Sequence, residues 1–120
     1  MKPLICELGM GADVHGRDYT KAALRGISDA IRHSSLTLFY SYKHPSQMHV
    51  EVTVGVSEPE KVDKEAVAAA LPFGTVDVAV VQGGLNDMGM GGAEDIVLAA
   101  VAIKAWLDTT DHSFRCRPLV

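Results

Sequence analysis

Cysteine is scarce in this chain of 120 residues: there are two, Cys6 and Cys116, far apart. That excludes a disulfide framework and a zinc knuckle, and a reduced thiol pair in a cytoplasmic protein is expected. Aromatic residues make up only 6%, with a single tryptophan, Trp106. No basic run is interleaved with them, so nucleic acid is not an expected partner. Long apolar runs are missing too. The longest, Ile96 to Ile103, is too short to span a bilayer, and no membrane partner is expected. Nor does a basic segment followed by an apolar run mark a secretory leader. The net charge of −4 is mild and steers towards no particular macromolecule.

What is present is a globular composition, 48% apolar, in one domain over residues 1–120, with an irregular tail from about residue 109. A first strand is expected over about residues 3–9. Asp18 is a good N-cap for a helix reaching about His33, with Ala23, Leu24, Ile27, Ala30 and Ile31 at helical spacing. Residues 36–43 are rich in β-branched and aromatic side chains and read as a strand, followed by a turn at 44–47. From Met48 to Val56 apolar and polar residues alternate: Met48, Val50, Val52, Val54 and Val56 on one face, His49, Glu51, Thr53 and Gly55 on the other. A short helix runs from about Asp63 to Leu71, stopped by Pro72, and Thr75 to Gln82 alternates again. Residues 83–92 read as a second glycine-rich loop, with the character of a lid. About residues 93–108 read as a final helix, apolar nearly all round. The order is β-α-β-β-α-β-α. It implies an α+β fold, a single antiparallel or mixed four-stranded sheet with helices packed on one face. A helix apolar on every face has to be covered on every face, so a homo-oligomer is expected.

The most informative stretch is Gly9-Met10-Gly11-Ala12-Asp13-Val14-His15-Gly16. Glycines at 9, 11 and 16 let something approach the backbone closely. In an extended chain Glu7, Asp13 and His15 all point one way, which suits a metal or acid–base site. Asp13 and His15 would suit a divalent transition metal, with a third ligand supplied by Glu7, the second glycine loop or another subunit. Direct acid–base or substrate contact is the other reading. Just downstream, Arg17 and Lys21 lie at a helix N-terminus, where an anionic group binds readily. Gly83, Gly84 and Asn86 would form the opposite wall. Gly-Met-Gly recurs at residues 9–11 and 89–91, each time with an Asp within four residues. True internal repeat and coincidence both stay open.

The string GxGxDxHG, carried here by Gly9, Gly11, Asp13, His15 and Gly16, resembles the defining motif of a small conserved family of bacteria and plants that bears a locus-tag name and no assigned reaction. The resemblance extends to the helix start from Asp18 to Ala23 and the segment from Val80 to Leu85. It implies where the site lies and leaves the chemistry open. Methylerythritol cyclodiphosphate synthase is more weakly similar: its GxGxDxH run holds a divalent metal, which would fall on Asp13 and His15. Gly16-Arg17 departs from that enzyme's pattern and its third-ligand segment is absent, so its activity is not implied. Small trimeric folds of the chorismate-mutase type are similar in topology and place sites between subunits.

The expected function is that of a small-molecule enzyme acting on a polar or anionic metabolite. Asp13, His15 and Glu7 would be catalytic groups. Gly9, Gly11, Gly16, Arg17, Lys21, Gly83, Gly84 and Asn86 would contact the ligand. Hydrolysis, lyase chemistry and tautomerase-like proton transfer are all within reach of such residues. The alternative is a non-catalytic metabolite-binding or regulatory oligomer using the same loop.

Overall fold

A computed structural model describes residues 2–33, 48–72, 74–90 and 96–107. The elements are β1 (Lys2–Asp13), α1 (Tyr19–Arg32), β2 (His49–Val56), a 3-10 turn (Pro59–Lys61), α2 (Lys64–Ala69), β3 (Thr75–Gln82), β4 (Leu85–Asp87) and β5 (Ile96–Leu107). The fold is α+β: one mixed sheet with both helices on one face. The strand order is β1-β5-β2-β3. β5 runs antiparallel to both β1 and β2, β2 and β3 are parallel, and β4 pairs with β5 just beyond the end of β2.

Local chemistry accounts for the helices. The Asp18 carboxylate caps α1 by accepting the N–H of Lys21, and Asp63 caps α2 by accepting those of Glu65 and Ala66. The alternation expected in β2 is met: Val50, Val52, Val54 and Val56 are buried beneath the helices. They pack with Ala22, Ala23, Ile27 and Ala30 of α1, Val67 of α2 and the inner row of β5, Val97, Ala99, Val101, Ile103, Ala105 and Leu107.

Three expectations are corrected. The final segment is a strand, not a helix. β5 has paired strands on both sides, and the outer face of its first half is also apolar, so its alternation is hidden in a nearly continuous apolar run of the kind central strands show. Among the described residues the sheet has five strands: three of the four expected, joined by β5 and by β4 in the expected lid. β1 does not stop at about residue 9 but continues through Gly11 to Asp13. The strand expected at 36–43, the turn at 44–47 and the tail from 109 lie outside the described residues. Among the described residues no helix is long and apolar enough to cross a membrane.

Candidate functional site

The strand directions bring the C-terminal ends of β1, β2 and β3 to one edge of the sheet, where β5 begins. Asp13 and Asn86 both pair with Val97, one from each side. Two strand spacings put them about 10 Å apart. Their side chains face the helices, as Val97 does. The two glycine-rich segments therefore meet across β5, at the N-terminus of α1.

Asp13 closes β1 and is only 2% exposed. Its Oδ2 accepts the backbone N–H of Asp18 at 2.9 Å. Lys21 Nζ lies 3.8 Å and Arg25 Nη1 3.6 Å from its Oδ1. Arg25 also donates to the carbonyl of Ala12. The Asp18 N–H is the main cause that holds the Asp13 carboxyl below its ordinary range. Burial opposes it, while Lys21, Arg25 and the His15 N–H reinforce it. Asp13 is thus a fixed carboxylate that ties the turn at 14–18 to the helix start. The turn itself needs left-handed backbone at Gly16 (φ 92°) and Arg17 (φ 53°).

His15 parts company with Asp13: it lies exposed in that turn, beyond the end of the strand. The two-apart geometry of an extended chain does not apply to it, because β1 ends at Asp13. Glu7 does share the inner face of β1, but six residues of strand separate it from Asp13, about 20 Å. It lies instead near His33, its Oε2 4.0 Å from His33 Nδ1. Glu7, Asp13 and His15 therefore form no single constellation. Among the described residues no group of three or more His, Cys, Asp and Glu side chains could hold a metal ion. The third ligand that Asp13 and His15 would need is not supplied by Glu7 or by residues 83–90.

The glycines have a packing role. A Cβ at Gly9 would meet the Gly26 carbonyl and, at 2.6 Å, the backbone nitrogen of Ala30; one at Gly11 would meet the Ala22 carbonyl and the Gly26 nitrogen. The object that approaches this backbone closely is α1, seated directly on β1. Gly83 and Gly84 carry the chain across the end of β2. Gly84 has φ 66°, and a Cβ there would strike the Leu98 carbonyl.

Beside Asp13 stands a second polar cluster. Tyr19, buried at the start of α1, donates its hydroxyl to Glu58 Oε2 at 2.7 Å and accepts from Asn86 Nδ2 at 2.7 Å. Ser57 Oγ, 3.1 Å away, fills the remaining lone pair. This fixes the Asn86 amide: its nitrogen must face Tyr19. Among the described residues its Oδ1 is then buried with no hydrogen-bond partner. Trp106 Nε1, near the far end of β5, is the other such atom among the described residues. Glu58 is held below the ordinary carboxylate range, first by the Tyr19 hydroxyl and then by Lys61, whose Nζ is 3.2 Å from Oε1; Arg17 adds to the effect. Lys61 also sits 6.0 Å from the centre of the Tyr19 ring.

Residues 3–105 match the model of a conserved hypothetical protein family, Lin0512_fam. The chain belongs to this family. It is similar to the crystal structure of an FtsZ-like protein of unknown function from Nostoc punctiforme: 34% identical, TM-score 0.78, with 89% of this chain and 96% of that one covered. No curated protein matches it.

Of the residues singled out in the sequence, the fold brings Asp13, Gly16, Arg17, Lys21 and Asn86 to this one edge. Arg25, Ser57, Glu58 and Lys61 belong to the same edge and carried no motif, and so does Tyr19, which lies within the helix start of the family resemblance. The signal that could have found them is positional: Ser57 and Glu58 follow the end of a strand, and Tyr19 follows a helix cap.

Proposed function

We propose that the chain is a small-molecule-binding module whose site is the polar edge where β1, β4 and the start of α1 meet. The GxGxDxHG residues build its frame: Gly9 and Gly11 seat the helix, and Asp13 ties down the turn. The observation that carries this reading is Asn86 Oδ1. A buried carbonyl oxygen without a donor costs about 1–3 kcal/mol. Tyr19 prevents the amide from turning to relieve it. The oxygen is closed off in the free protein, so a ligand N–H or O–H that displaces its neighbours and reaches it removes the cost. Lys21, Arg25 and Lys61 lie along the same edge, which suits a ligand that also carries a carboxylate or phosphate.

Binding is the better reading than proton transfer at Asp13. A carboxylate that already accepts backbone N–H groups and faces two cations is a poor base, and His15 stands apart from it. A thermal-shift screen of hydroxy acids, amino acids, sugar phosphates and nucleotides tests the site. At least one class is expected to raise the melting temperature of the wild type, and Asn86→Leu is expected to abolish that shift. The same variant should change the stability of the free protein by no more than about 1 kcal/mol, since it removes an unpaired acceptor along with one hydrogen bond. A ligand shift that survives in Asn86→Leu places the site elsewhere. An enzyme using His15 would keep its ligand shift and lose turnover in His15→Asn.

A further inference from the structure

The sheet has a second face, turned away from the helices. Along its strands the pairing sets side chains in rows: Met10, Ala100, Gly55 and Val81 form one, and Leu8, Ala102, Thr53 and Ala79 the next. Leu85 and Leu98 continue the apolar end. Here Leu8 is 66%, Met10 63%, Leu85 63% and Val81 45% exposed. Exposed singly, such residues need no explanation, but a contiguous group across one sheet marks an interaction surface. The face is also shaped. Leu8 and Met10 form a ridge along β1 beside a trough floored by small residues of β5 and β2; the cavity they bound, closed by Gly83 and Gly84 and by Asp29 and His33 at the β1 edge, is about 600 Å³. Towards the other end the character changes to charge: Lys104 pairs with Glu51, which pairs with Asp77, and His49 Nε2 lies 3.1 Å from Asp77 Oδ2.

We propose that this face docks a second copy of the chain, sheet against sheet, about a two-fold axis. Three features point to a copy of itself. A two-fold contact requires each surface to offer both the projection and its receptor, and the Leu8–Met10 ridge stands next to an alanine, glycine and threonine trough that can receive such a ridge. The polar end offers both signs, Lys104 beside Glu51 and Asp77, so two copies can complement each other without another protein's charges. The size fits as well. Four strands and five side-chain rows span roughly 650 Å² in projection before side-chain relief is counted, close to the about 800 Å² per partner of a stable pair. Packed sheets stand about 10 Å apart, which leaves room for one interdigitated layer of such side chains.

Sedimentation equilibrium of the full chain from low to high micromolar concentration tests this. The wild type is expected at a multiple of 12.8 kDa, the mass of one chain. Leu8→Asp and Ala100→Glu are each expected to raise the dissociation constant at least about tenfold, the effect of some 1.4 kcal/mol. Lys64→Glu, exposed on α2 on the helix side of the sheet, should leave association unchanged. Should the face variants fail to fold, Cys6, exposed on this same face beside Lys104, provides a second readout in an otherwise wild-type Cys116→Ser chain. Its reaction with a thiol reagent should slow as protein concentration rises. A wild type that stays at 12.8 kDa throughout assigns the face to some other partner and overturns the proposal. So does an oligomer that is indifferent to Leu8→Asp and Ala100→Glu, or a Cys6 whose reactivity does not depend on concentration.

Discussion

Gly11→Val is expected to abolish the folded state, and Gly11→Ala to lower its stability by roughly 3 kcal/mol, the upper end of what overpacking costs when side chains can yield. Here they cannot yield. The atoms that a Cβ would meet are the backbone of α1: the Ala22 carbonyl, the Gly26 nitrogen and, at 2.7 Å, the Arg25 carbonyl carbon. The helix would have to lift from β1 as a body, drawing Ile27 and Ala30 out of the core. Gly26 takes part in the same close approach, since a Cβ there would lie 2.6 Å from Val101 Cγ2. Against a typical total stability of 5–15 kcal/mol, roughly, a β-branched side chain at this position leaves little or nothing. Urea unfolding followed by circular dichroism measures it. Gly16→Ala is the control: its Cβ has open space, 3.8 Å from Asp13 Oδ2, and only the left-handed backbone (φ 92°) costs, by about 1–2 kcal/mol. A Gly11→Ala protein with the wild-type urea midpoint would mean that α1 does not sit on β1 in this way.

Where polarity alternates, the sequence is easy to read. β2 and β3 show the two-residue period over eight residues each, and the fold places them accordingly. The capping carboxylates Asp18 and Asp63 mark the starts of α1 and α2 equally well. β5 defeats the same logic because its outer row, Leu98, Ala100 and Ala102, is as apolar as its inner row. Without contrast between faces neither period stands out, and alanine content tips the reading towards helix. The reason for that missing contrast is the apolar outer face of the sheet, which no described element covers, and no local window contains it. β1 and β4 were obscured by glycine. Glycine usually punctuates strands, but Gly9 and Gly11 serve a helix packed from outside, whose position depends on residues fifteen or so positions further on.

The site is legible in a similar measure. Glycines, a carboxylate and a helix start within ten residues lie at the edge where the loops converge. The grouping inside that edge is not readable. Glu7 and Asp13 share a strand face, yet strand rise alone separates them, and His15 leaves that face because the strand stops at Asp13. Tyr19, Ser57 and Glu58 come together through the parallel course of β1 and β2, which is set by β5 lying between them. That pairing joins residues some ninety positions apart, beyond any motif.

At neutral pH, Asp13→Asn is expected to melt several degrees below the wild type, and the difference should vanish in acid. The asparagine keeps one oxygen to accept the Asp18 N–H but loses the charge facing Lys21 and Arg25. The Asp13 carboxyl is held below its ordinary value in the folded protein, so the folded state takes up this proton later than the unfolded chain does. Its contribution is therefore complete above the unfolded aspartate value of about 4 and is lost as pH falls through the lower folded value. Asp29, lowered chiefly by the Met10 N–H, and Glu58, lowered chiefly by Tyr19, behave alike. Both remain in the variant, so both proteins lose stability in acid and only the difference between the two curves reports Asp13. Thermal melts from pH 7 down to pH 2.5 or so, at low and high salt, measure that difference. Convergence below about pH 4 identifies the charge as what ties the turn to the helix. A gap that persists unchanged to the acid end would assign the effect to amide geometry instead, and Asp13 would then be a steric plug at the end of β1 rather than an electrostatic anchor.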